Sequence, residues 1–350
     1  MYYHRKGTGD GATKWFVWHE GGAWCTSDAS CAERALGHLG STKEDPQNRS
    51  LDGGYFAVDP GVNPLMYNWN AVYLRYCDGA SVSGDAAAPV TVGNQTLHYR
   101  GKAILDAEIA SLLDGRSMRL ATDVVVGGCS AGGLAAYLHC DRWADAISAA
   151  TGGRAKTRCA PDSGFFVDSL PKCHGRLSGA YRTQSCAAGV HPGCIAEHNV
   201  TGDDWKCMFA QWTAPYIKTP TFGLQSQYDS WQGGGYNVSQ FGTMGHDITA
   251  LVTSQLLAPT GAARGANGAF LDSCSHHCGS SGPQPAWGGG RYGPGSRIDG
   301  ASMGAALKAW YEQGSLTLPN HGFYNAAQPY RCGAGGKGPC CDYNATAGGR

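Results

Sequence analysis

The sequence predicts an α/β protein: a mostly parallel sheet with helices on both faces. Three features carry that expectation. Apolar runs of strand length alternate with helical stripes, the strand-like runs are rich in β-branched and aromatic residues, and one of them leads straight into a glycine-bracketed serine that opens a helix. In chain order, WFVWHE (15–20) and NAVYLRYC (70–77) read as strands. AILDAEIASLLDG (103–115) puts Ile104, Leu105, Ile109, Leu112 and Leu113 on one helical stripe that stops at Gly115. DVVVGG (123–128) is a buried strand and AGGLAAYLHCDRWADAI (131–147) a helix. KTPTFGLQSQYDSWQ (218–232) supplies another strand and HDITALVTSQLLA (246–258) another helix. Residues 279–300, GSSGPQPAWGGGRYGPGSRIDG, are rich in Gly and Pro and read as a surface loop. No repeat is visible and no linker divides the 350 residues, so a single domain over 1–350 is expected.

Charge and cysteine usage narrow the function classes. Lys+Arg and Asp+Glu both number 27, so no net field favours a polyanion, and nucleic acid is not an expected partner. No stretch of about 18 apolar residues offers a membrane span. The fifteen cysteines lack the paired Cys-x-x-Cys spacing of a structural zinc site, which makes disulfides the better reading. Five Asn-x-Ser/Thr sequons, at Asn48, Asn94, Asn199, Asn237 and Asn344, add to the expectation of a secreted or secretory-pathway protein. The chain opens MYYHRKGTGDGATKWFVWHEGG without an apolar h-region. A signal peptide, with a little of the mature N-terminus, is therefore expected to be missing ahead of Met1.

Gly128-Cys129-Ser130-Ala131-Gly132 is G-x-S-x-G between a β-branched strand and a helix, the setting that motif requires. Such a turn lifts Ser130 Oγ to the carboxyl edge of the sheet, where the N–H groups of the following helix face a developing oxyanion. The alternative is a glycine-rich turn whose serine merely caps the helix. A triad in the order Ser, acid, His finds Asp229 in QSQYDSWQ and then His277 in FLDSCSHHC, each where a loop leaves a strand end. Twelve histidines and many aspartates leave rivals in that order, and His276-His277 between Cys274 and Cys278 has the outline of a metal cluster. In an oxidising compartment those cysteines are expected to form disulfides instead.

Six stretches then carry a resemblance. EGGAWC (20–25), VYLRYCDGASVSGD (72–85), GCSAGGLAAYLHCD (128–141), APDSGFF (160–166), SQYDSWQ (226–232) and LDSCSHHC (271–278) occur in the order expected of the pectin acetylesterase family. That family also contains Notum, the animal carboxylesterase that removes a lipid from Wnt proteins. The resemblance implies an α/β-hydrolase-like catalytic domain with a Ser-His-Asp triad, needing no metal or organic cofactor. Carried over by motif, Ser130 is the nucleophile, Asp229 the acid and His277 the base, because the family's histidine immediately precedes the second cysteine of that loop. His276 is the second choice. EGGAWC maps to the oxyanion hole, with the N–H groups of Gly22 and Ala23 joining that of Ala131.

The expected activity is removal of acetyl or other short acyl groups from a polysaccharide, most of all pectin, by a secreted monomer. A Notum-like lipid carboxylesterase is the first alternative. It would need an apolar acyl pocket, for which Phe165, Phe166 and Phe270 are candidates. A catalytically silent glycan-binding module is the second. Cys25 and Cys31, close together on the loop after the first strand, are expected to bridge and hold the oxyanion loop. An odd cysteine count leaves at least one thiol unpaired within the chain. Cys129 is the first expectation for it, as a buried, inert side chain, and Cys77 the competitor. Adjacent Cys340 and Cys341 are expected to seek separate partners.

Overall fold

The computed structural model describes residues 1–258, 261–263, 265–279, 297–298, 300–313 and 323–325. The 280–296 part of the Gly/Pro-rich stretch, Cys340, Cys341 and Asn344 lie outside them. Eight strands form one sheet: β1 (Tyr2–Arg5), β2 (Lys14–His19), β3 (Asn70–Leu74), β4 (Asp123–Cys129), β5 (Lys156–Asp162), β6 (Phe222–Ser226), β7 (Gly268–Asp272) and β8 (Phe323–Asn325). Their order across the sheet is β1-β3-β2-β4-β5-β6-β7-β8. Only β1 runs antiparallel to its neighbour; every other pair is parallel.

Period-two alternation in the strands separates two cores. Trp15, Val17, Val72, Leu74, Val124 and Val126 face one side and bury the apolar stripes of four helices. These are α1 (Gly101–Gly115), α2 (Ala131–Thr151), α3 (Pro171–Thr183) and α4 (Val238–Leu251). Phe16, Trp18, Val125, Phe222, Leu224 and Phe270 face the other side. They lie beneath α5 (Met303–Gln313) and a segment carrying Tyr55, Leu65, Met66 and Trp69. Helices therefore cover both faces, but unequally.

The observed elements differ from the expected ones mainly at their ends. The helix expected over 246–258 starts earlier, at Val238. There the Asn237 side chain accepts from the Gln240 N–H while Gln240 returns a bond to the Asn237 N–H. β5 escaped the sequence reading because its first half, Lys-Thr-Arg, is polar and only its last four residues are buried. No described helix is long and apolar enough to cross a membrane.

What the topology does for function is to gather loop ends. The segments after β2, β4, β5, β6 and β7 all leave the carboxyl edge of adjacent parallel strands, where open α/β sheets place their sites. They carry Glu20–Cys25, Ser130, Asp162–Phe166, Asp229 and His277 respectively.

Candidate active site

Ser130 sits between β4 and α2 with φ 61° and ψ −124°, a conformation that costs a non-glycine residue energy and must be enforced by its surroundings. The glycines around it supply the room. A Cβ on Gly132 would lie 2.1 Å from the His19 carbonyl oxygen, and one on Gly128 2.2 Å from that of Gly132. The turn is pinned by the Ser130 N–H donating to the Asp162 carbonyl at 3.0 Å. Its side chain makes no cap on the helix, so the capping alternative is not the arrangement adopted.

Asp229 is fully buried in the turn after β6. Its Oδ1 accepts the N–H groups of Trp231 and Gln232 at 3.0 and 2.9 Å. Oδ2 accepts Gln225 Nε2 at 3.3 Å and faces His277 Nδ1 at 2.8 Å. A carboxylate at that nitrogen assigns the imidazole proton to Nδ1 and leaves the Nε2 lone pair available as a base. Nε2 is buried and has no hydrogen-bond partner among the described residues.

The neighbouring histidine is held differently. His276 Nε2 contacts both oxygens of Asp272, at 3.0 and 2.8 Å. Burial works against its charge, but Asp272, with Asp162 and Asp229 beyond it, outweighs that and raises its pKa to about 9. A histidine that stays protonated at neutral pH is a poor proton acceptor. The geometry thus separates the two candidates, pairing Asp229 with His277 and leaving His276 as an ion pair with Asp272.

The loop expected to supply the oxyanion hole follows β2. Gly22 (φ 148°) and Ala23 (φ 53°) have backbone conformations that fix where their amides point. Arg34 Nη1 donates to the Gly22 carbonyl and Tyr76 Oη to the Ala23 carbonyl, both at 2.7 Å. No acceptor among the described residues engages the N–H of either residue. Ala131 opens α2, where an N–H has no partner within the helix. Trp24 Nε1 donates to Ser81 Oγ, which donates to the Ala131 carbonyl, both at 2.8 Å, so the loop and the helix start are tied together. Cys25 and Cys31 form a disulfide, as expected, at the back of this loop.

The expectation for Cys129 is corrected by the structure. Cys129 is bonded to Cys278, with Cα atoms 5.6 Å apart, and Cys77 is a half-buried free thiol. The reason lies in Asp162 and Ser163 of the APDSGFF stretch, two residues that carried no expectation. Ser163 Oγ accepts the Cys278 N–H at 2.9 Å, and the buried Asp162 carboxylate accepts the Gly279 N–H at 2.8 Å. Together they hold the histidine loop against the end of β4, within bridging range of Cys129. Residues flanking the serine and the histidine are thereby joined covalently.

Of the three phenylalanines, Phe166 lies beside His277, its ring 6.3 Å from the imidazole. Phe165 packs on Tyr137, and Phe270 points into the opposite core with Phe222 and Leu224. Strand alternation turns Phe270 away, since Ala269 and Leu271 hold the face toward α2. Two residues of SQYDSWQ that carried no expectation complete the neighbourhood. Gln232 accepts the Val167 N–H at 3.1 Å and donates to the Phe165 carbonyl at 3.2 Å, while the Trp231 ring stacks beside His277.

Residues 1–321 match the family model described as pectinacetylesterase. The chain belongs to the pectinacetylesterase family. It is 36% identical to pectin acetylesterase 5 of Arabidopsis thaliana over 66% of this chain and 53% of that protein, so it spans about half that relative's length. With pectin acetylesterase 11 of the same plant it shares 30% identity over 89% of this chain and 81% of the relative. The palmitoleoyl-protein carboxylesterase notum2 of Xenopus laevis is 29% identical over 66% of this chain and 48% of its own length. Among solved structures, the Wnt deacylase Notum from Drosophila superposes with a TM-score of 0.75 at 24% identity, covering 89% of this chain and 87% of that one. The fold of this pectinacetylesterase-family chain is thus that of an α/β-hydrolase.

Proposed function

We propose that this protein is a secreted serine carboxylesterase, one catalytic domain acting as a monomer, which removes acetyl groups from polysaccharide, with pectin as the substrate. The observation that carries the reading is the His277 imidazole, bound to Asp229 through Nδ1 and with no Nε2 partner among the described residues, on a loop joined through Cys278–Cys129 to the strained turn that holds Ser130. His277 Nε2 takes the Ser130 hydroxyl proton as Oγ attacks the ester carbonyl carbon, and the N–H groups of Gly22, Ala23 and Ala131 hold the oxygen that becomes negative. Losing one such donor typically costs about 3 kcal/mol of transition-state stabilisation. The sugar hydroxyl leaves with the proton from His277. Water, deprotonated by the same imidazole, then attacks the acyl-enzyme and releases acetate, so the sequence closes without a metal or organic cofactor.

Family membership, and the similarity to proteins named pectin acetylesterases over most of the chain, support the substrate class. Four disulfides among the described residues and exposed sequon asparagines at 48, 94, 199 and 237 support an extracellular setting.

The test sets p-nitrophenyl acetate, acetylated pectin and acetylated xylan side by side. Wild type should release acetate, fastest from pectin. Ser130→Ala, Asp229→Ala and His277→Ala should each lose about four orders of magnitude in kcat without adding, because the three act as one unit. Binding of pectin without release of acetate would mean a silent glycan-binding module instead.

A further inference from the structure

Trp231 belongs to no part of the triad or the oxyanion hole, yet it is the most connected aromatic ring at the site. Its indole stacks beside the His277 imidazole, with centroids 6.0 Å apart at 27°. It meets Phe166 edge-on at 5.4 Å and Trp24 edge-on at 5.6 Å, and those two meet each other at 4.9 Å. The three rings therefore close a triangle of direct contacts. A hydrocarbon chain between two rings needs about 3.5 to 4.0 Å of carbon–carbon separation on each side, and this triangle leaves no such slot. Its members are also fixed. Phe166 and Trp24 are buried, and the Trp24 indole N–H is held by Ser81. The Trp231 backbone N–H is held by Asp229 and its carbonyl by the Lys172 ammonium, which lies 4.1 Å from the indole centroid.

The triangle is bounded by the two groups that must bracket a reacting ester. Trp24 follows Ala23 of the oxyanion loop, and Trp231 and Phe166 flank the base. An acyl substituent that points from Ser130 into the space between the oxyanion loop and the base would meet these rings. Resting on the esterase reading above, we propose that Trp231 sets the acyl length this protein accepts: its ring closes the acyl site after a methyl group and excludes longer chains. Of the three rings Trp231 is the one partly exposed to solvent. It is therefore the wall whose removal would open the site outward without emptying the core.

The experiment compares kcat/KM for p-nitrophenyl acetate, butyrate and octanoate in wild type, Trp231→Phe and Trp231→Ala, with Ser130→Ala as the blank. Wild type should decline steeply from acetate to octanoate. The octanoate-to-acetate ratio should rise at least about tenfold in Trp231→Ala, with Trp231→Phe between, since a few methylenes gained in an apolar pocket carry that much discrimination. If Trp231→Ala does not fold by its thermal transition, the butyrate-to-acetate ratio of Trp231→Phe decides alone. An unchanged ratio overturns the proposal. So does an unchanged ratio with turnover lost only on acetylated pectin, which would make Trp231 a platform for the sugar ring. A wild type that cleaves octanoate as fast as acetate removes the gate and leaves the esterase standing; a wild type that cleaves neither removes the esterase.

Discussion

Adjacent imidazoles at positions 276 and 277 face different carboxylates, His276 that of Asp272 and His277 that of Asp229. His276 gains its partner Asp272 only in the folded chain, and its pKa rises from the ordinary 6.5 to about 9. A group whose folded pKa is raised stabilises the native state fully below its unfolded value and loses that contribution as pH climbs through the folded one. The melting temperature should therefore fall between about pH 7 and 9.5, and His276→Gln should flatten that slope while retaining esterase activity. A slope unchanged by the substitution would show that the ion pair carries no stability. Sequence reasoning reached both histidines because the motif delivers them together. It could rank but not separate them, since what separates them is which of Asp229 and Asp272 each ring meets across the loop. Asp162 and Ser163 were invisible as functional residues for a related reason: their role is to accept N–H groups from residues 278 and 279, and backbone partners leave no signature in side-chain spacing.

Elements were legible where their pattern is strong. β2, β4 and the amphipathic α1 were placed almost to their ends, because both alternation and the glycine stop are local features. The histidine loop was not, because it is shaped by partners from β4 and β5 rather than by its own residues. Its attachment can be tested at the Cys129–Cys278 bond. Replacing both cysteines by Ala should lower the unfolding free energy by about 2 to 5 kcal/mol, the usual range for a native disulfide. The same change should lower kcat more than it raises KM, because the loop it loosens carries the base and not a binding surface. An equal melting temperature with an equal kcat would mean that the hydrogen bonds from Asp162 and Ser163 suffice.

Over the whole molecule the sheet divides a thick layer from a thin one. Four helices, α1, α2, α3 and α4, pack on one face, whereas Phe16, Trp18, Phe222 and Phe270 on the other meet α5 and the 55–69 segment. The thin side has less surrounding structure to relax into a void. Leu307 is fully buried on α5 and packs into this face. Leu307→Ala should cost about 2 to 5 kcal/mol in urea unfolding, a large part of a typical domain's stability, and leave acyl preference unaltered. The reading of the sequence expected helices on both sides but had no means of telling how unequally they are shared, since that follows from where the crossovers run and not from the pattern of any one strand.

Cys129 and Cys278 are separated by 149 positions, and this spacing sets a clock. A ribosome adding about 5 to 20 residues per second finishes the serine turn many seconds before it reaches the histidine. The strands after β5 must then thread into the sheet before the two sulfurs can meet. Oxidation itself takes seconds to hours depending on the isomerase at hand. Through all of that time the nascent chain carries Ser130 with no base beside it, so the hydrolysis proposed for it would become possible last, once a loop made 149 positions later has docked.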